Sequence, residues 1–418
     1  MSGSIIHKPA FAIELALPPV DQGHPLNVSY LSTIVNPNIY STKANDLFGI
    51  VVATMGNYTA IAATQEDAAD GVSSGVVYVF DLTTDTLIHS IVNANAAGTS
   101  AYDGFGNAVA ITNNYVIVGA PHEDVVGGSS GSVYVFSLVT GLLVQTLVNP
   151  NIFGTVSSDG FGAAVAASGN YIIVGTPHED EVGNTESGVV YVFDATTWSL
   201  LHTIVNPNSY GTTANDWFGF SVACTSTQIF VGAPNEDNPS SSNTGVVYVF
   251  NLSTGLLEHT LPNPNPIGTH LIEFGKYITA TEDFVCVGAP GETLTSPDGT
   301  VYVFDTATGT LAHTIDNPDT FVSTGDKFGS AVTCTSKYVI VGSHYEDEVG
   351  NVESGVVYVF DIVTGALLNT IHNPNTTNTS AYDQFGKALS CTTDYLVVGT
   401  SAEDEGGTQS GVAHKFSI

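Results

Sequence analysis

The sequence contains no arginine, and its seven lysines face 40 acidic residues, for a formal net charge of −33 over 418 residues. Phosphate backbones are held by Lys and Arg, so this balance argues against nucleic acid. It argues equally against anionic membrane surfaces. What it favours is solubility, cation binding or a basic partner, and an acidic surface that merely keeps a protein soluble in a salty medium is as good a reading. Cysteine is scarce. Cys224, Cys334 and Cys391 each lie six residues after the Phe of a Phe-Gly pair, and Cys286 lies elsewhere. Equivalent positions of separate repeats are expected to be too far apart to bridge, which predicts four buried free thiols and no disulfide framework. No run of 18 apolar residues exists, so no transmembrane helix is expected. The start, Met1 to Lys8, lacks a basic stretch followed by a long apolar core. No secretory signal is expected, and a chain acting outside a cell would leave by another route, such as release with a virus particle.

What is present is a repeat. In-register Phe-Gly pairs begin at 48, 105, 161, 218, 274, 328 and 385, spaced by 57, 56, 57, 56, 54 and 57 residues. A further pair, Phe153-Gly154, falls out of register in a connecting loop. A fixed period of this size marks a repeat architecture. The third unit shows its content. Phe161-Gly162 opens a strand, Ser168-Gly169-Asn170 turns it, and residues 171–175 form a second. A loop beginning at Pro177 ends at Gly188, Val189 to Phe193 make a third strand, and Leu200 to Val205 a fourth. Asn206-Pro207-Asn208 breaks the chain before the next unit. Four strands without helical periodicity describe a propeller blade. The expectation is an all-β, seven-bladed β-propeller of four-stranded blades.

Closure is legible at the termini. The last unit stops after its third strand, Gly411 to Phe416, and the missing fourth stands at the start. There Ser32-Thr33-Ile34-Val35-Asn36-Pro37-Asn38 matches His202-Thr203-Ile204-Val205-Asn206-Pro207-Asn208. The N-terminal strand is expected to complete the last blade and so protect a sheet edge. Residues 27–418 would form the ring, and residues 1–26 an arm suited to docking into a larger assembly.

The Phe-Gly opening, followed by Val-Gly-Ala-Pro at 118–121, 231–234 and 287–290, resembles the FG-GAP repeat, which builds the integrin α-subunit propeller and many bacterial and phage surface proteins. The resemblance covers residues 27 to 418. It implies a propeller and, as one option among many, adhesion through loops. Calcium-binding members carry an Asp-x-Asp-x-Asp-Gly type loop between the Phe-Gly strand and the Gly-Ala-Pro strand. Here short turns such as Thr112-Asn113-Asn114 stand in its place, so those calcium sites do not carry over.

Strand order puts the long loops, between strands two and three and between blades, on one face, where a rigid scaffold tends to display function. That face collects acids: Glu66-Asp67, Glu123-Asp124, Glu179-Asp180, Glu236-Asp237, Glu346-Asp347 and Glu403-Asp404, with an Asp two residues before the Phe in Asp46, Asp103, Asp159, Asp216, Asp326 and Asp383. The fifth unit departs at both places, with Gly291-Glu292-Thr293 and Ile272-Glu273-Phe274. One reading is a ring of hard oxygen ligands for Ca2+ or Mg2+, drawn from Glu123, Asp124, Glu179, Asp180, Glu236, Asp237, Glu346 and Asp347. The other is that the carboxylates accept loop N–H groups and lock turns. Beside these acids the preceding residue varies: Gln65, His122, His178, Asn235 and Tyr345, which are candidate partner-binding positions on a fixed frame. Neutral drift at exposed sites would look the same. His122 and His178 are a weak transition-metal pair. His89, His202, His259 and His313 share one position on the fourth strand and read as cross-strand surface residues.

Catalysis finds little support. Sialidases hold a carboxylate with arginines, absent here, and tryptophan-docked quinoprotein blades cannot be built from Trp198 and Trp217 alone. Neither an H-E-x-x-H helix nor a G-x-S-x-G elbow is expected. Paired carboxylates could cleave glycosides, but six interchangeable Glu-Asp pairs offer no distinguished pair. The expected function is therefore non-enzymatic: a surface module recognising a protein or glycan, extracellular or on a virion, of the viral or phage structural or receptor-binding kind. The alternatives are a secreted bacterial integrin-like adhesin and a carbohydrate-active enzyme using the acidic face.

Overall fold

A computed structural model describes residues 26–418 apart from short loop stretches (39–42, 69–71, 96–100, 126, 152, 155, 182–183, 209–212, 238–241, 266–271, 293–298, 319–324, 348–351, 376–380 and 406). The described residues form seven antiparallel sheets of four strands each and contain no helix. Blades one to six run in chain order, from Phe48–Val92 to Ala331–His372. Blade seven combines Ala388–Cys391, Tyr395–Thr400 and Val412–Ser417 with the N-terminal strand Ser29–Val35. In that closing pair Ile34 faces Ala413 and Thr33 faces His414, so the seven-bladed ring is shut by its own first strand, as expected. The anticipated arm lies outside the described residues except for Leu26, whose carbonyl accepts from Asn369 Nδ2 at 3.2 Å.

Third strands such as Val189–Asp194 are buried along almost their whole length, which explains their continuous Val/Tyr/Phe content: both faces of the strand meet a neighbouring blade. The Phe of each Phe-Gly pair packs on the Tyr and Phe of the third strand, as Phe161 does on Tyr191 and Phe193 at ring separations of 6.0 and 6.1 Å. The glycines join the blades. A Cβ on Gly119, in the Val-Gly-Ala stretch of blade two, would fall far inside contact with the carbonyl of Gly162, in the Phe-Gly pair of blade three. The same pairing recurs as Gly175 with Gly219 and, across the closure, Gly399 with Gly49. The two halves of the repeat motif are thus opposite sides of one seam.

First strands of successive blades pack side by side around a central channel of about 280 Å3 lined by apolar residues from every blade, Val51, Val165 and Ile278 among them. This corrects the expectation for the thiols. All four cysteines are free, but only Cys286 is fully buried, and equivalent positions are close: Cys391 Sγ lies 3.4 Å from the carbonyl of Cys334 on the next blade. The narrow channel brings first strands together, so separation is not what keeps these thiols unpaired.

The fourth-strand histidines also differ from expectation. His89 Nε2 meets the carbonyl of Leu138 at 2.9 Å, His202 that of Ser253 at 3.1 Å, His259 that of Ala307 at 3.2 Å and His313 that of Val363 at 2.7 Å. Each reaches the third-to-fourth turn of the following blade. They are clasps between blades rather than partners within a sheet. At the closure Lys415 serves the same seam, donating to the Leu82 carbonyl at 2.9 Å and pairing with Asp85.

Candidate functional site

The acidic loop face is built from three carboxylates in each of six units, and each has a separate task. The Glu of each pair is buried and turned inward. Glu123 accepts from the Tyr134 hydroxyl at 2.6 and 2.5 Å, Glu179 from Tyr191 at 2.6 Å, Glu236 from Tyr248 at 2.5 Å, and Glu346 from Tyr358. In blade seven His414 replaces the tyrosine and sits 3.2 Å from Glu403. The adjacent Asp turns the other way and caps the loop. Asp124 accepts from the Ser129 N–H at 2.6 Å, Asp180 from Glu186 at 2.9 Å, Asp237 from Asn243 at 2.8 Å and Asp347 from Glu353 at 2.8 Å. Those four donors all hold a left-handed backbone, φ 49 to 53°, which the carboxylate stabilises where the side chain alone would disfavour it.

The third acid ties the blade-to-blade loop. Asp159 Oδ2 accepts from Asn149 and Asn151 at 2.8 and 2.7 Å, and Asp216 from Asn206 and Asn208 at 2.9 and 3.0 Å. The first Asn also accepts the N–H of the second, as Asn149 does from Asn151 at 3.0 Å. The Asn-Pro-Asn break and the Asp before the Phe are therefore one lock. Blade five keeps part of it: Ile272 fills the Asp position, and Asn265 turns instead to Glu292 at 2.5 Å. Glu292 still accepts from Tyr302 at 2.9 Å, so this unit loses its two Asp residues but not its Glu.

Crowding buried carboxylates has an electrostatic cost. Burial pushes Glu66, Glu123 and Glu292 up to about 7 and Glu179 and Glu236 up to about 8, from an ordinary 4.5. Burial likewise lifts Asp103, Asp159 and Asp383 to about 6 and Asp216 to about 7. The Oε2 atoms of Glu66, Glu179 and Glu236 are buried with no hydrogen-bond partner. The two carboxylates of each pair point apart, one Glu oxygen accepts from Tyr while the loop Asp residues accept from Asn and backbone donors, and among the described residues no group of three His, Cys, Asp or Glu is placed to hold an ion.

The variable positions are placed differently. The backbone N–H of Gln65, His122, His178, Asn235 and Tyr345 donates to the carbonyl of Asp46, Asp103, Asp159, Asp216 and Asp326, at 3.0 to 3.3 Å. Gly291 does the same to Ile272 at 3.2 Å. Gln65 and His122 are exposed, and His178, Asn235 and Tyr345 half-buried. Each side chain is thus held out at the same height by a pinned main chain. His122 and His178 do not converge: His178 packs edge-on against Trp217 at 5.4 Å and lies 3.7 Å from Glu186, while His122 lies against Gly104 of its own blade. The G-x-S-x-G letters at 71–75 and 127–131 fall on loops between strands two and three, without the following helix an elbow requires.

A seven-fold ring with its long loops gathered on one face defines the class, a β-propeller. Five segments, residues 93–136, 154–193, 210–250, 322–360 and 376–416, match the FG-GAP repeat, and they fall on blades two, three, four, six and seven. The chain is an FG-GAP repeat β-propeller, a kind that is typically non-enzymatic. No curated protein matches it. Missed in the sequence were the tyrosine partners of the buried Glu residues and the histidine clasps. A signal for the first existed: the Val-x-Val-Phe strand carries Tyr in every unit that ends in its own fourth strand, always 10 to 12 residues after the Glu.

Proposed function

We propose that this protein is a recognition module displayed on a particle or cell surface, of the viral or phage structural or receptor-binding kind, that binds a protein or glycan partner through its loop face. The observation that carries this reading is the pinned main chain beneath Gln65, His122, His178, Asn235 and Tyr345, which presents unlike side chains on a rigid, repeated frame. The committed hydrogen bonds of the Glu-Asp pairs support a binding role over glycoside cleavage, because that chemistry needs two carboxylates facing one substrate. A secreted integrin-like adhesin would use the same face, and the export route separates the two.

The test is binding of the labelled chain to candidate host cells, with and without a divalent-cation chelator. Saturable binding that survives chelation is the expected result. Binding abolished by chelation would return the acids to a cation-dependent site, and no binding to any cell would reassign the ring to scaffolding within its own assembly.

A further inference from the structure

The seven-fold pattern is also broken at the mouth of the central channel on the loop face. The third residue of the Phe-Gly strand lines this mouth in six of the seven blades, and in blades five and seven it is lysine, Lys276 and Lys387. Lys327 of blade six lies beside them, so three of the chain's seven lysines gather here in a protein of net charge −33. Glu273 engages Lys276 at 2.5 Å and Lys327 at 3.7 Å. Lys387 has no carboxylate partner among the described residues. Its Nζ donates to His344 Nε2 at 2.9 Å, and His344 Nδ1 meets the Ser330 hydroxyl at 2.6 Å. Burial and the nearby lysines hold His344 down at about 3, so a neutral imidazole positions the ammonium without cancelling it. Three lysines thus gather at the rim with Glu273 as their paired carboxylate among the described residues, and burial together with Lys276 draws the Lys387 ammonium below its ordinary value.

Aromatic rings frame the same opening. Lys276 Nζ lies 5.9 Å from the Phe220 ring and 6.0 Å from Tyr277, and Lys387 Nζ lies 5.5 Å from Tyr345. Phe220 is held by stacking on Trp217 at 5.9 Å. Phe220 and Tyr277 are half-buried and line the cavity. A channel of about 280 Å3 is near the lower bound of small-molecule sites, of order 300 Å3. Converging cations, flat rings and a small concavity suit a compact acid with an apolar face, and a pyranose bearing a carboxylate has both parts.

We propose that this channel mouth binds an acidic monosaccharide unit, its carboxylate on Lys387 and Lys276 and its sugar face on Phe220 and Tyr277. The site goes beyond the recognition reading, since it stands whether or not the outer loops bind a surface partner. Calorimetric titration of the full chain with glucuronate, N-acetylneuraminate, glucose and inorganic sulfate tests it. At least one acidic sugar is expected to bind saturably at one site per chain, with glucose and sulfate at least about tenfold weaker. Lys387→Met and Lys276→Met should each weaken binding about tenfold or more. Should a variant misfold, the intact chain still decides, because binding must fall as NaCl rises from about 50 to about 200 mM. Saturation by neither acidic sugar, equal binding of glucose, equal binding of sulfate alone, insensitivity to salt, or unchanged affinity in both folded lysine variants would each overturn it.

Discussion

Burial raises the Glu179 and Glu236 carboxyls from an ordinary 4.5 to about 8, and this couples the ring's stability to pH. A group whose folded pKa is raised binds its proton more tightly in the native state. Its contribution is fully present below pH 4.5 and is lost as the pH climbs through 8. Glu66, Glu123, Glu292 and the raised Asp residues work in the same direction, so thermal midpoints should fall steadily between pH 5 and pH 8. Glu236→Gln keeps an acceptor for Tyr248 and removes the titration. Its profile should be shallower, and at pH 8 it should match or exceed the parent. Midpoints that are flat or rising over this range would contradict the assignment. A second residue-scale test is Tyr191→Phe, which strips the donor from buried Glu179 and should cost about 1–3 kcal/mol in chemical denaturation. Little of this was legible beforehand. The acids were visible as a pattern, and their turn-locking role was one of two open readings. Their separation into an inward Glu and an outward Asp depends on which way each side chain leaves the loop, which spacing does not encode.

Seams between blades are the elements on which the ring depends, and there the sequence said more than composition suggests. The fixed distance from Phe-Gly to Val-Gly-Ala placed two glycines on strands one and two of a unit. It could not show that each meets the glycine of the neighbouring unit, because that contact exists only once the ring is wound. Gly175 has no need of a left-handed backbone, and its constraint is the carbonyl of Gly219 lying where a methyl would go. Gly175→Ala should therefore lose at least about 3 kcal/mol, since backbone on both sides of the seam must shift. Blade one provides the control. Ala62 occupies the equivalent position opposite Gly106, so Ala62→Gly should cost only about 1 kcal/mol, from strand entropy and a lost methyl. Urea midpoints of the two variants measure the difference, and equal losses would remove the steric account. The clasping role of the fourth-strand histidines was not legible for the same reason as the glycine seam: a residue's partner on the next blade is some fifty positions away and follows no local rule.

At the scale of the whole molecule, a ring gains from closure what a linear stack of repeats lacks, because each blade then has two neighbours. The strand Ser29–Val35 supplies this closure by pairing along Val412–Ser417, and its loss would leave the third strand of blade seven as an open edge. Asn36 and Asn38, just beyond it, also hold Asp46 at 2.8 and 2.6 Å and so carry the loop into blade one. Other contacts across the seam, the Lys415 clamp on blade one and Gly399 against Gly49, do not involve the strand and would remain. Removing residues 1–25 should therefore leave the thermal midpoint within a degree or two of the intact chain, since the Leu26 contact with Asn369 and the whole closing strand are kept. Removing residues 1–38 should lower it far more than any single loop substitution and promote association through the exposed edge. Those two truncations, run side by side with light scattering, separate a docking arm from a structural strand. Equal midpoints for the longer deletion and the intact chain would mean that six complete blades hold the seventh without help, and that the N-terminal strand is an ornament of the ring instead of its lock.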